Sequence, residues 1–197
     1  MKKIFNIILG LFLIFGAAKK ADAADRYYFD KVHTQILFFV DHLGFSKSQG
    51  EFLDYEGYFE FDPAKPQASK VQVTIKTASL DMDDTVWETK LLGSEFFKAK
   101  KFPNMVFTST SIEVTGENTG KLKGNLTLLG KTNPVELDVI FNKAGIHPIS
   151  KNYVAGFSAT AQIKRSDFGM MYALPIVGDE VELRLEIEGI RQGHYNK

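Results

Sequence analysis

The stretch Val181-Glu-Leu183-Arg-Leu185-Glu-Ile187-Glu188 decides the fold. Apolar and charged side chains alternate along it with period two. In an extended chain, successive side chains point to opposite faces, so one face is apolar and the other solvated. That pattern marks an antiparallel strand with one face on a core. Val71-Gln-Val73-Thr-Ile75-Lys-Thr77 and Val135-Glu-Leu137-Asp-Val139-Ile-Phe141 repeat it. Weaker versions run over residues 36–42, 50–61, 105–114, 121–128 and 153–164. Turn signals separate them: Asp62-Pro63, Glu117-Asn-Thr-Gly120, Gly130-Lys-Thr-Asn-Pro134, His147-Pro148 and Val177-Gly178-Asp179. About eight antiparallel strands predict an all-β domain, either a closed barrel or a two-sheet sandwich, and alternation alone leaves both open.

One segment departs from the pattern. Residues 83–99 read as a helix with Asp83 or Asp84 as its cap. Trp87, Leu91 and Leu92 recur at helical spacing, with Phe96 and Phe97 at the far end, and Gly93-Ser94 interrupts. This segment carries the single Trp and is expected to pack on a sheet or over a barrel mouth.

The chain has 197 residues, 24 basic and 24 acidic side chains, and no Cys. The missing Cys excludes disulfides, thiol catalysis, iron–sulfur clusters and Cys-ligated zinc. The first 23 residues read as a secretory leader: Lys2-Lys3, an apolar run from Ile4 to Ala18, and the cleavage signal Ala21-Asp-Ala23. The run falls short of the roughly 20 residues that span a bilayer. Cleavage after Ala23 predicts a periplasmic or secreted protein, with residues 24–197 as one domain and no integral membrane span. The leader holds four Lys and one Asp, so 20 basic and 23 acidic side chains remain after cleavage. That mildly acidic balance argues against a nucleic-acid partner.

Several near-motifs carry no chemistry. The run from Gly124 to Gly130-Lys-Thr132 resembles a phosphate loop, but it has one residue too many between its glycines and joins two strands with no helix to follow. Asp167-Phe168-Gly169 lacks the companion motifs of a kinase. His33 and His42 read as odd-spaced positions on one strand, facing opposite ways, so no shared metal and no cofactor is expected. The carboxylates fall mainly at outward positions, as solvated faces do, and no catalytic residue is nominated.

Aromatic side chains are abundant: 14 Phe remain after the leader is removed, with seven Tyr and one Trp. The residues that carry a family resemblance lie among them. His33-Thr34, Phe38, Val40, His42 and Gly50-x-Phe52 come first. Glu95-Phe96-Phe97, Phe102-Pro103-x-Met105-x-Phe107 and Gly124-Asn-Leu126-Thr-Leu128-x-Gly130-Lys-Thr132-Asn-Pro134 follow. Ala155-Gly156-Phe157 and Arg165-Ser-Asp167-Phe168-Gly169 complete the series. In this order they resemble the YceI-like family across nearly the whole mature chain. Lys90 stands before Leu91 where many members carry His. The resemblance implies an eight-stranded, lipocalin-like antiparallel barrel with a capping helix. It also implies a non-enzymatic periplasmic or secreted protein holding a long amphiphile, a polyisoprenoid or isoprenoid quinone, in its lumen. Fatty acids or their amides are the alternative ligands.

Alternation then nominates the inward positions. Ile36, Phe38, Val40 and His42 share one face, and Val73 and Ile75 another. Met105 and Phe107 share a third, and Phe157, Ala159, Ala161 and Ile163 a fourth. Phe52, Phe59 and Phe61 fit one face only with a bulge, expected at Gly57. Trp87, Leu91 and Phe96 are expected from the helix, and Arg165 and Phe168 from the turn after the fourth set. Headgroup contacts are expected from His42, Lys90 or Arg165, although Arg165 also reads as a brace for Asp167. Burying fifteen to twenty carbons is worth roughly 12–16 kcal/mol gross. Association and ordering cost roughly 4–15 kcal/mol, so only a long chain binds well. Leu37 and Phe39 face the other way, as an outer patch of a scaffold or a homodimer, or as a surface under the helix.

Overall fold

The computed structural model describes residues 24–193; the expected leader and His194 lie outside the described residues. Eleven strands and one α-helix follow in order: β1 Asp25–Phe29, β2 Gln35–His42, β3 Ser46–Phe52, β4 Tyr55–Phe61, β5 Lys70–Lys76, β6 Leu80–Asp81, α1 Thr85–Leu91, β7 Asn104–Val114, β8 Thr119–Leu128, β9 Lys131–Ile146, β10 Tyr153–Lys164 and β11 Val177–Arg191. Every pairing is antiparallel. The sheet runs β1-β4-β5-β7-β8-β9-β10-β11 and returns to β1, an eight-stranded closed barrel. β2, β3 and β6 extend it from the first half of β11. Of the two architectures that alternation left open, the chain adopts the barrel.

Closure falls on a strand that the alternation did not announce. β1 is only five residues long, yet it pairs with both β11 and β4. Tyr27 is almost fully buried and stacks on Phe59 at 5.0 Å. Burial pushes the Tyr27 hydroxyl up to about 12. Gly189 of β11 lies opposite Phe29, and a Cβ there would overlap the Phe59 ring. The seam therefore needs a glycine for close approach.

Three expectations change. The single strand expected over 50–61 is two strands, broken at Leu53-Asp54. That break, not a bulge, resets the parity between Phe52 and Phe59; Gly57 pairs in regular register with Val73. The helix is shorter than expected, Thr85–Leu91, because Gly93 and the turns after it end the ladder. Its cap is Asp84, whose carboxylate accepts the backbone N–H groups of Val86 and Trp87. His33 lies in the turn before β2 rather than on the strand with His42.

Gly189→Val places a branched side chain against the Phe59 ring, and overpacking of this kind costs about 1–3 kcal/mol. Urea unfolding should show a lower midpoint; an unchanged midpoint would show that the seam tolerates the added volume.

Candidate functional site

Side chains facing inward from the barrel strands leave a cavity of about 430 Å³ that runs from one end of the barrel to the other. Its wall has three zones. Around β1 and the end of β4, Phe59, Phe61, Phe141 and Phe157 form an aromatic group. Ring centroids there are 5.0 Å apart for Phe61 and Phe157 and 5.4 Å for Phe141 and Phe157. The middle is aliphatic: Val73, Ile75, Leu122, Leu137, Leu183 and Leu185. At the other end a second aromatic group, Phe38, Phe52 and Phe97, lies under α1, with Phe52 and Phe97 edge-to-face at 5.6 Å. Gly50 makes room for Phe38, its partner across β2 and β3.

Eighteen of the twenty nominated residues line this cavity. They include Ile36, Val40 and His42 from β2, Trp87 and Leu91 from α1, Met105 and Phe107 from β7, Ala159 and Ile163 from β10, and Phe96. Two do not. Ala161 packs against the core opposite Leu183, whose larger side chain takes the lumen surface. Phe168 is closed inside the β10–β11 turn, 2 % exposed, and offers no surface to the cavity. The candidates omitted β8 and β9, although Leu122, Leu126, Val135, Leu137 and Val139 were signalled by the same alternation.

Arg165 touches the cavity but is not available as a headgroup contact. It is 4 % exposed, and its guanidinium donates to the carbonyls of Gly178, Met170, Tyr172 and Val177 at 2.8–3.0 Å. It braces the loop backbone, not Asp167. Burial lowers its proton affinity, and nearby Asp179 opposes that. Burial pushes the Asp179 carboxyl up, but the Ser166 hydroxyl and N–H, with Arg165, outweigh it and hold the carboxyl below its ordinary value. Lys90 is turned to the Tyr172 ring, 5.4 Å from its centroid. His42 stands at the capped end, its ring edge-on to Trp87 at 5.9 Å. The opposite end has a polar rim that the sequence showed only as turns: Ser69, Glu117, Asn118 and Thr119.

Among the described residues, Asp30, His33 and Glu188 bring possible metal-ligand atoms within 4.8 Å of one another. Asp30 is already committed: it accepts the Val32 N–H and meets His33 Nδ1 at 2.9 Å, which raises the imidazole above its ordinary value. The group is a turn brace at the start of β2. No helix among the described residues is long and apolar enough to cross a membrane.

The YceI-like domain model matches residues 27–189, from the closing strand to its partner. The chain belongs to the YceI-like family. A UPF0312 protein of Ectopseudomonas mendocina is 40 % identical over 188 residues, covering 94 % of this chain and 96 % of its own. The crystal structure of Burkholderia cenocepacia BcnA superposes with a TM-score of 0.73 at 27 % identity, covering 81 % of this chain and 98 % of its own. A polyisoprenoid binding domain from Saccharophagus degradans shares the fold at 11 % identity, with a TM-score of 0.65 over 85 % of this chain and 99 % of its own. The YceI-like barrel built here carries an end-to-end lumen and one helix over its mouth.

Arg165→Leu strands several buried carbonyls and should lower stability by about 3–5 kcal/mol in chemical denaturation. The Asp179 carboxyl is held below its ordinary value, so its stabilisation is complete at neutral pH and lost as the pH falls through that lowered value. Asp179→Asn should flatten this part of the acid unfolding profile; an identical profile would remove Asp179 from the brace.

Proposed function

We propose that this chain carries a long isoprenoid-like amphiphile, a polyisoprenoid or an isoprenoid quinone, in the barrel lumen, for transport, storage or scavenging outside the cytoplasm. The observation that carries this reading is the continuous apolar cavity. At the ~30 Å³ that a water-sized group occupies, it holds on the order of fifteen groups of methylene size. Burying that many contributes roughly 12 kcal/mol gross, enough to offset association and ordering at the favourable end of their roughly 4–15 kcal/mol range. The wall selects by length and shape, since its middle offers aliphatic side chains and no ordered set of donors. The polar rim at Glu117 and Asn118 suits a headgroup, with the chain running toward α1.

The reading is one of holding, not of chemistry. The cavity wall is mostly apolar, and Arg165 already donates to four backbone carbonyls. We read the first 23 residues as a leader cleaved after Ala23, and residues 24–197 as one lipid-binding domain of the periplasm or the secreted fraction. The N-terminal sequence of the exported protein should begin at Ala24.

Mass spectrometry of an organic extract of purified mature protein tests the cargo. A polyisoprenoid or isoprenoid quinone in near-stoichiometric amount is expected. An extract holding only fatty acids or fatty amides would move the assignment to those lipids, and an extract with no lipid, together with no uptake of added quinone, would overturn it. Ala159→Phe projects a ring into the lumen and should weaken ligand uptake at least about tenfold while the barrel stays folded, a loss of about 1.4 kcal/mol in binding. Unchanged uptake would place the cargo elsewhere.

A further inference from the structure

The end of the barrel under α1 carries an apolar crown that the lumen does not use. The β2–β3 turn exposes Leu43 and Phe45, the latter at 89 %. The exposed side of α1 adds Val86 at 77 %, and the β10–β11 loop adds Met171 and Ile176. None of these five lines the cavity. They are held together at one end. His42, just before Leu43, pairs with Val177, just after Ile176, and its ring meets Trp87. Lys90 ties α1 to Tyr172 of the loop.

Trp87 joins crown to lumen: it lines the cavity and is 43 % exposed. Exposed apolar side chains gathered at one end in this way mark an interaction face. Trp and Tyr beside aliphatic tips is the composition that settles at a membrane–water interface. The far end of the cavity is more polar, with Ser69, Glu117 and Asn118 on its rim beside the half-exposed Val114. Val32 and Ile149 are exposed as well, on the β1–β2 and β9–β10 turns, where no aromatic residue both lines the cavity and stands exposed as Trp87 does.

We propose that the crown docks on a lipid bilayer, dipping Phe45, Val86 and Ile176 into the interface so that the lumen exchanges its apolar cargo with the bilayer beside Trp87. This rests on the lumen being a lipid site. An apolar chain that crossed water between bilayer and lumen would expose about 0.8 kcal/mol per CH₂; a mouth pressed to the bilayer avoids that exposure. The crown's neighbours include both signs, Lys90 and Lys47 against Asp41, Asp83, Asp84 and Glu88. Attachment is therefore hydrophobic, and salt should not weaken it.

The mature chain is mixed with phosphatidylcholine vesicles and floated on a density gradient. Trp87, the only Trp in the chain, reports insertion through quenching by lipids brominated on the acyl chain. Co-flotation and quenching are expected, at low and high salt alike. The Phe45→Asp/Val86→Asp double variant should lower vesicle partition at least about tenfold, while uptake of farnesol, an isoprenoid alcohol of about fifteen carbons that matches the room in the lumen, stays at the wild-type level. Wild-type protein that takes up farnesol but neither floats nor is quenched overturns the docking proposal and leaves the lumen reading standing. Failure to take up farnesol or any longer isoprenoid overturns the lumen reading itself. A double variant that floats like wild type overturns the assignment of the crown. So does a dimer in sedimentation that the double variant dissociates while wild type ignores vesicles, which would give the crown to a second copy of the chain.

Discussion

Pairing of β1 with β11 turns a twisted sheet into a tube, and the rest of the molecule follows from that closure. An open sheet would bury its apolar face only against another layer and would leave two edges of unpaired backbone groups. Closing the ring satisfies the edges and faces every inward side chain toward a common axis. Eight strands give an interior that side chains fill or nearly fill, so a few small or displaced side chains decide between a packed core and a cavity. Here the small side chain of Ala159 faces the lumen among aromatic and aliphatic neighbours, and the unfilled remainder is a tunnel.

The two ends of the tunnel are built by different means. At one end the seam itself supplies the wall: Tyr27 on Phe59, and Phe59 against Phe157. At the other the ring is widened by β2, β3 and β6, and strands alone leave it open. Helix α1 and the β10–β11 loop fill that space. A loop folded over an apolar interior has backbone carbonyls that need donors. Arg165 provides them, four carbonyls from one planar group, which a Lys with its compact ammonium would not match in geometry. A charge so deeply placed stabilises the structure only because every neighbouring acceptor is in place and Asp179 lies near.

Much of this was legible in the sequence, and the reasons for the gaps are physical. Period-two alternation located the inward faces of β2, β5, β7 and β10, because one side of each strand is wet and the other dry. It missed β1, since Asp25-Arg-Tyr-Tyr-Phe29 has adjacent aromatics and too few residues to show a period. It merged β3 with β4, since a two-residue break at Leu53-Asp54 carries neither Gly nor Pro. Ala161 was nominated correctly by parity and lost by size. Arg165 looked like a rim cation because a sequence shows charge but not the carbonyls that surround it. The ordered motifs covered this gap only in part: they pointed to the family's lumen and said nothing of what each polar residue in it holds.

The contrast between the mouths bears on how a lumen of this kind can be entered. A closed ring of strands is stiff, because moving one strand breaks hydrogen bonds on both sides. The elements over the capped mouth are tied differently: α1 is short, its cap rests on one carboxylate, and its face against the lumen consists of Trp87 and Leu91. Displacing it breaks no sheet pairing. The loop beside it is pinned by Arg165 and moves less readily. On the proposed reading, entry would run along the line where Trp87 meets His42, between a helix outside the sheet and a strand end within it. That line opens into the exposed apolar crown, and at the other end of the tunnel the polar rim is carried on hairpins held by the barrel itself. The fold thus places an element outside the sheet at the apolar mouth and barrel hairpins at the more polar one, which is the asymmetry that the proposed amphiphile would need.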